Sequence, residues 1–173
     1  DIELIPEPVV LVADNLRGMH PLVKATEEDL SGGHVDTHGR LYQWKQQGLD
    51  VHVSKAQVKR ALRIMNALVR KLEELGFSVG VGGNGGRERE SWVLIDGERV
   101  QLKLRELSRM IRDPKPDRYG RRNCTYEPTG RLELSMNEYI DTGSIKRVHD
   151  RLPKKPIESQ LGQFIVGLHA CAQ

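Results

Sequence analysis

The sequence predicts an α+β fold in which a mostly antiparallel sheet of four to five strands is covered by helices. Apolar residues recur every three to four positions between residues 54 and 76, as on a helix, and alternate between residues 91 and 104, as on strands. The 173 residues, 38% of them hydrophobic, suit a single core. We expect residues 1–20, which contain two prolines, to form a linker or strap, and residues 21–173 to form one α+β domain.

Helical spacing predicts the helices of this domain. The main helix begins at Ser54, a good N-cap residue, and Gly76 ends it. Leu104, Leu107 and Ile111 fall on one side of a shorter helix that ends before Pro114. A short helix near residues 22–30 precedes these two, and a final helix runs from about residue 157 to the end.

Alternation of apolar residues predicts the strands. The alternating segments are 77–81, 91–95, 98–104 and 131–136, with a further strand near 49–53. Asp96 and Gly97 form a tight-turn signal between two of them, and the glycine-rich run 82–86 reads as a loop. The core order is therefore α-β-β-β-α-β-α.

Charge is unevenly distributed along the chain, although the formal total is only +3. Residues 1–53 carry a net charge of −5, residues 54–76 carry +4, residues 103–122 carry +5, and residues 146–155 carry +4. Clustered arginines and lysines of this kind favour contacts with the phosphates of nucleic acid.

A basic ridge is the first candidate for such contacts. Arg105, Arg109 and Arg112 recur at steps of four and three, so the predicted short helix would align them on one side. Lys115 lies between this ridge and the next cations along the chain. The remaining candidate DNA-binding residues are Arg118, Arg121, Arg122, Lys146, Arg147, Arg151, Lys154 and Lys155. Tyr119 and Tyr126 could stack on bases or pack in turns.

A metal-dependent nuclease is the enzymatic alternative. The predicted order helix, three strands, helix, strand resembles the core of restriction-endonuclease-like enzymes. Gln101 and Lys103 would occupy the third strand on one face, and Glu90 or Asp96 would supply the acid. Metal-activated water would then attack a phosphodiester. A solvated sheet face explains the same row of residues. The sequence therefore leaves enzymatic activity undecided and favours its absence.

Other patterns predict neither a cofactor nor a resident metal. His34, Asp36 and His38 alternate like ligands on a strand, but flanking glycines favour a solvated loop. Gly80, Gly82 and Gly85 match a dinucleotide fingerprint that a strand, not a helix, follows. Two cysteines and no apolar run of membrane length favour a reducing cytoplasm and no membrane partner.

Self-association is the third alternative. Leu161, Phe164, Ile165 and Leu168 form an apolar face on the final helix, which either closes the core or pairs across a two-fold axis in a homodimer.

Three short segments carry a resemblance to known proteins. The runs at residues 60–68, 93–98 and 128–132 are similar to the C-terminal region of uncharacterised bacterial proteins that carry an N-terminal helix-turn-helix segment. The resemblance implies a bacterial, cytoplasmic protein that works with DNA, and it implies that this chain, which starts on Asp1, is part of a longer protein. The preferred prediction is a non-catalytic accessory domain of a bacterial DNA-binding protein that gives phosphate contacts and assembly surface.

Overall fold

The computed structural model describes residues 5–43, 45–82, 90–136 and 146–172. Its helices are α1 (Pro21–Leu30), α2 (Val58–Glu74) and α3 (Leu161–Cys171), with 3₁₀ turns at Lys55–Gln57 and Ile157–Gln160 before α2 and α3. Its strands are β1 (Val51–His52), β2 (Ser78–Val81), β3 (Ser91–Ile95), β4 (Glu98–Arg112), β5 (Cys124–Met136) and β6 (Arg147–His149).

The strands form one sheet in the order β2-β3-β4-β5-β6, and every neighbour in this path is antiparallel. The short β1 pairs in parallel with β4 at Val51 and Leu104, beyond Leu102, which pairs with Ser91, the first residue of β3. The predicted α+β class with a mostly antiparallel sheet is therefore confirmed.

The helices cover one face of the sheet and bury its inward side chains. Val93, Leu102 and Leu134 alternate inward from three adjacent strands and are 0 to 2% exposed. From the helical side, the core receives apolar residues of all three helices. The four residues considered for self-association, Leu161, Phe164, Ile165 and Leu168, are each 0% exposed within the core of this chain, so core packing is what they do.

The main helix is confirmed, with one local difference. The chain enters it through the 3₁₀ turn after Ser54, and the Ser54 side chain makes no capping hydrogen bond. Ser54 therefore holds the N-cap position of the 3₁₀ turn without a side-chain capping bond, and α2 itself begins only at Val58. Gly76 follows the helix with a φ of +88°, a left-handed conformation that glycine adopts without steric cost.

The predicted helix at residues 104–111 is wrong, because this segment is the second half of β4. Five cross-strand pairs, from Ser108–Pro128 to Arg112–Cys124, extend the β4–β5 ladder well past the core. Strand β5 accordingly begins before residue 131, and the short β6 was not predicted at all. The predicted loop at residues 82–86 lies, beyond Gly82, outside the described residues.

The segment before α1 lies on the helical layer. Ile5, Val10, Val12 and Met19 are partly buried against the core. At Gly162 of α3 the approach is so close that an added Cβ would lie 2.3 Å from the carbonyl oxygen of Pro8. Only glycine at this position allows the segment to lie against α3.

Candidate nucleic-acid interface

A two-stranded ribbon extends from the sheet beyond its core. We call residues 107–129 the arm: it comprises the ends of β4 and β5 and the connecting loop 113–123. Every residue from 112 to 129 is exposed. The five pairs between Ser108 and Arg112 span about 14 Å at the usual rise of a strand. Beyond its base the arm is therefore open to solvent on both sides.

The base of the arm is anchored by a buried carboxylate. Glu106 is 1% exposed and accepts hydrogen bonds from the backbone N–H groups of Ser54 (2.7 Å) and Gly130 (2.8 Å). The ladder register shifts at this point, between Glu106 and Ser108. Glu106 of β4 thus joins the entry to α2 to β5 at the base of the arm, and it serves as the acceptor for two backbone amides.

The loop 34–41 supports the same base from the side. The imidazole of His38 lies 4.2 Å from the ring of Tyr126, measured between centroids. At Gly39, which has a φ of +74°, an added Cβ would lie 2.8 Å from Cγ of Pro128. The root of the arm is therefore held on one side by packing, while the tip has no such support.

Two aspartates shape the tip. Asp117 Oδ1 accepts from the backbone N–H groups of Tyr119 and Arg121, both at 2.8 Å, and Asp113 Oδ1 accepts from Lys115 at 2.9 Å. These are the local side-chain to backbone bonds by which aspartate stabilises turns. Both carboxylates are therefore directed at turn amides.

The arm carries six cations and three carboxylates, so its net charge of +3 equals that of the whole chain. The cations are Arg109, Arg112, Lys115, Arg118, Arg121 and Arg122. Glu127 is 3.3 Å from Arg109 in an exposed ion pair, a type of pair that contributes little energy in water.

The predicted arginine ridge does not exist as a single face. Beyond the register shift, alternation along β4 places Arg109 on one side of the ribbon and Arg112 on the other. Arg105 is also engaged, because its Nη2 lies 2.8 Å from Oε1 of the buried Glu133. The predicted alignment of these three arginines on one side is wrong because it assumed a helix, whereas pairing with β5 makes this segment a strand.

Apolar and aromatic side chains are exposed among these cations. Met110 is 44% exposed, Tyr126 is 37% exposed and Tyr119 is 68% exposed. The guanidinium of Arg118 lies over the Tyr119 ring at 4.8 Å from its centroid. Such amphipathic side chains can contact bases or sugars while their cationic neighbours contact phosphates.

The residues of the nuclease alternative lie at two different places. Gln101 pairs with Trp92 and Lys103 with Ser135 on the sheet face away from the helices, and Glu90 directly precedes β3. Asp96 lies in the β3–β4 turn at the far end of β3, with its side chain 63% exposed. Asp96 is thus separated from Gln101 and Lys103, which leaves Glu90 as the acid nearest them in register.

The second basic group divides between a strand and a turn. Lys146 directly precedes β6, and Arg147 begins it opposite Ser135. Arg151, Lys154 and Lys155 belong to a turn closed by two backbone hydrogen bonds of 2.9 Å between Arg151 and Lys155. This turn and Arg131 of β5 line one cleft. Arg131 is not among the predicted binding residues, because only the fold brings it close to the turn that begins at Arg151, twenty positions later in the sequence.

A buried ion-pair network fixes the start of that turn. Asp150, whose side chain is 0% exposed, accepts 2.7 Å hydrogen bonds from both Nη atoms of Arg60, and Arg60 also binds Glu158 at 2.7 Å. The backbone N–H groups of Leu132 (2.7 Å) and Ile157 (2.8 Å) donate to the same aspartate. Helix α2, strand β5 and the entry to α3 thus meet at one carboxylate.

The charges of this network are mutually stabilised. Burial acts to raise the pKa of Asp150, but hydrogen bonds from Arg60 and from the two backbone amides hold that pKa below its usual range. Burial opposes the charge of Glu158 in the same way, and Arg60 again lowers the pKa. The two carboxylates in turn raise the pKa of Arg60, with Glu158 the larger contributor. All three groups are therefore ionised at neutral pH.

Asp36 has a structural role between the two histidines near it. Its Oδ1 accepts from the backbone N–H groups of His38 (2.8 Å) and Arg40 (3.0 Å), and its Oδ2 lies 3.3 Å from Nε of Arg40. Within the described residues, no group of three His, Cys, Asp or Glu side chains is arranged to hold a metal ion.

Comparisons of the chain with protein-family models, with curated proteins and with solved structures find no match. In the part of the chain that the structure describes, none of the helices has the length and apolar character required to cross a membrane.

Proposed function

We propose that this chain is a non-catalytic DNA-binding domain that contacts duplex DNA through the arm. The observation that carries the proposal is the arm itself: a ribbon whose residues 112–129 are all exposed and which bears six cations. A role with DNA in a bacterial cytoplasm, as accessory domain of a larger DNA-binding protein, agrees with the resemblance of residues 60–68, 93–98 and 128–132.

The dimensions of the arm suit a duplex. The major groove of B-form DNA is about 12 Å wide and admits a two-stranded β-ribbon. Arg109 and Arg112 lie on opposite faces of the ribbon, so a ribbon lying flat in the groove would direct one guanidinium towards the base edges and leave the other on the outer face. The tip residues Arg118, Arg121 and Arg122 add further guanidinium groups, which match phosphate oxygens in a planar fork.

Core stability does not account for the arm. A two-stranded hairpin is marginally stable by itself in water, and beyond its base this one buries no apolar side chain. The sheet would be complete if the chain turned between Glu106 and Arg131. An exposed, cationic extension that adds little to the core is therefore best explained by a polyanionic partner outside the chain.

The test is a salt series of DNA-binding measurements by fluorescence anisotropy. We expect the variant Arg118→Gln, Arg121→Gln, Arg122→Gln to bind a duplex about tenfold more weakly than the parent protein, and its log affinity to depend less steeply on log salt, by up to about 0.9 for each lost phosphate contact. The charge-matched control is Lys24→Gln, Lys45→Gln, Lys59→Gln, whose exposed lysines lie far from the arm in sequence.

Equal binding by both triple variants and the parent protein would refute a role for the arm. A marked preference for single-stranded over double-stranded oligonucleotides would refute the groove geometry, because only a duplex has the groove into which the ribbon fits. Since all six substituted side chains are exposed, a loss of folding is not expected and circular dichroism can check it.

A further inference from the structure

A second cationic site lies beside the arm and is concave. The cleft has a volume of about 770 Å³ and lies between β5, β6 and the turn 151–155. Its lining begins at Leu107, the first residue of the arm, and includes Arg131 and His149 on adjacent strands. Small-molecule sites in proteins generally range from about 300 to 1,000 Å³, so the cleft has the size of a ligand site.

Four cations line this cleft: Arg131, Arg151, Lys154 and Lys155. No ion pair involves any of them within the described residues. Asp150 is the acid of the lining, but its side chain is 0% exposed and its oxygens are directed at Arg60 and at two backbone amides. The charge that a ligand in the cleft would meet is therefore strongly positive.

The cleft also has apolar walls. Leu107 is half-buried at one end, and Leu152, 43% exposed, is followed by the exposed Pro153. The imidazole of His149 adds a flat, partly buried surface. Contacts with a nucleic-acid backbone would use the cations and leave these apolar groups unused. A ligand that combines phosphates with a flat heterocycle would use both.

We propose that the cleft binds a free nucleoside polyphosphate. The phosphate chain would lie between Arg131 and Lys154, where charge-assisted hydrogen bonds are the strongest available contacts. The nucleobase would pack against Leu152, Pro153 and His149. This inference goes beyond the proposed DNA-binding function and does not depend on it, since the cleft residues are distinct from the substituted tip of the arm.

The architecture favours a preformed site. Asp150 immediately precedes the turn, and its bonds to Arg60, Leu132 and Ile157 fix both the start of the turn and the chain that leaves it. A turn held at both ends spends less conformational entropy when a ligand binds.

Isothermal titration calorimetry at low salt, without divalent cations, tests the proposal with ATP, AMP, adenosine and sodium tripolyphosphate. We expect ATP to bind more tightly than either AMP or tripolyphosphate, and adenosine to bind weakest. The double variant Arg131→Gln, Lys154→Gln should bind ATP at least tenfold more weakly. The matched control Lys24→Gln, Lys59→Gln should bind ATP like the parent protein.

Three results would overturn the proposal. One is the absence of ATP binding at millimolar concentration; another is an equal loss of ATP affinity in the two double variants. The third is binding of duplex DNA alone, weakened by the Arg131→Gln, Lys154→Gln variant, which would assign the cleft to the DNA surface. Tripolyphosphate binding as tightly as ATP would overturn the part played by the apolar walls. The triple tip variant separates the two functions, because it should lose DNA affinity and keep ATP affinity.

Discussion

The substitution Asp150→Asn tests how strongly the buried network stabilises the fold. In the native protein, Oδ1 accepts from Arg60 Nη2 and the Ile157 amide, while Oδ2 accepts from Arg60 Nη1 and the Leu132 amide. Asparagine keeps the shape of the side chain but replaces one acceptor oxygen with an NH₂ group. Whichever way the amide is oriented, two donors then face a donor.

The size of the effect follows from those two unmet donors. A buried donor without an acceptor costs about 1–3 kcal/mol, and breaking a buried ion pair by removing one charge costs about 3–5 kcal/mol. Both figures describe the loss of the same interactions. Glu158 remains to compensate Arg60. We therefore expect Asp150→Asn to lower the free energy of unfolding by about 3–4 kcal/mol.

Urea denaturation followed by circular dichroism measures this difference. Glu158→Gln is the matched control, because it makes the same chemical change in the same network at a side chain that is 28% exposed and can be hydrated. We expect the control to cost about 1 kcal/mol or less. If Asp150→Asn lowers the free energy of unfolding by less than about 1 kcal/mol, or by no more than the control does, the buried network does not stabilise the fold as we infer.

Two further predictions follow from the same structure. The folded-state pKa values of Asp150 and Glu158 are lowered, so the stability that the network provides is present above the unfolded-state pKa values of about 4 and is lost as pH falls through the folded-state values. The difference in unfolding free energy between the parent protein and Asp150→Asn should therefore shrink between pH 6 and pH 3. A difference that stays constant over this range would contradict the lowered pKa values. Gly162→Ala should release the segment 5–13 from α3, because the new Cβ would lie 2.3 Å from the Pro8 carbonyl oxygen; limited proteolysis should cut this segment faster than in the parent, and unchanged cleavage would contradict the close approach.

The class of the fold could be predicted because its local signals agree with each other. In α2 the apolar stripe and the terminal glycine indicate one helix, and in β3 and the start of β4 strict alternation flanks an Asp-Gly turn. These elements also bury their apolar faces in the core. Where local preference and burial favour the same structure, sequence patterns suffice to identify it.

The second half of β4 could not be assigned in the same way. Leu104, Leu107 and Ile111 fit a helical spacing, and the intervening arginines and glutamate are good helix formers. What decides the structure is pairing with β5, which begins twelve residues after β4 ends. Non-local hydrogen bonding therefore overrides local propensity here.

The candidate sites show the same division between local and non-local information. Composition identified most of the cations, and the arm contains those between residues 109 and 122. Which cations share a face depends on whether the backbone has a period of 3.6 or of 2, and the wrong period placed Arg105, Arg109 and Arg112 together. Arg131 joins the cleft only through the pairing of β5 with β6, for which the sequence gives no local signal.

The small net charge of the chain conceals this arrangement. Most of the acidic excess lies in residues 1–53, whereas the cations of the arm and the cleft lie after residue 108. At physiological ionic strength, charges separated by more than about 8 Å are largely screened from one another. Within residues 107–129 the cations outnumber the carboxylates six to three, so a polyanion at the arm meets a local excess of positive charge, and the low total of +3 does not argue against a DNA-binding role.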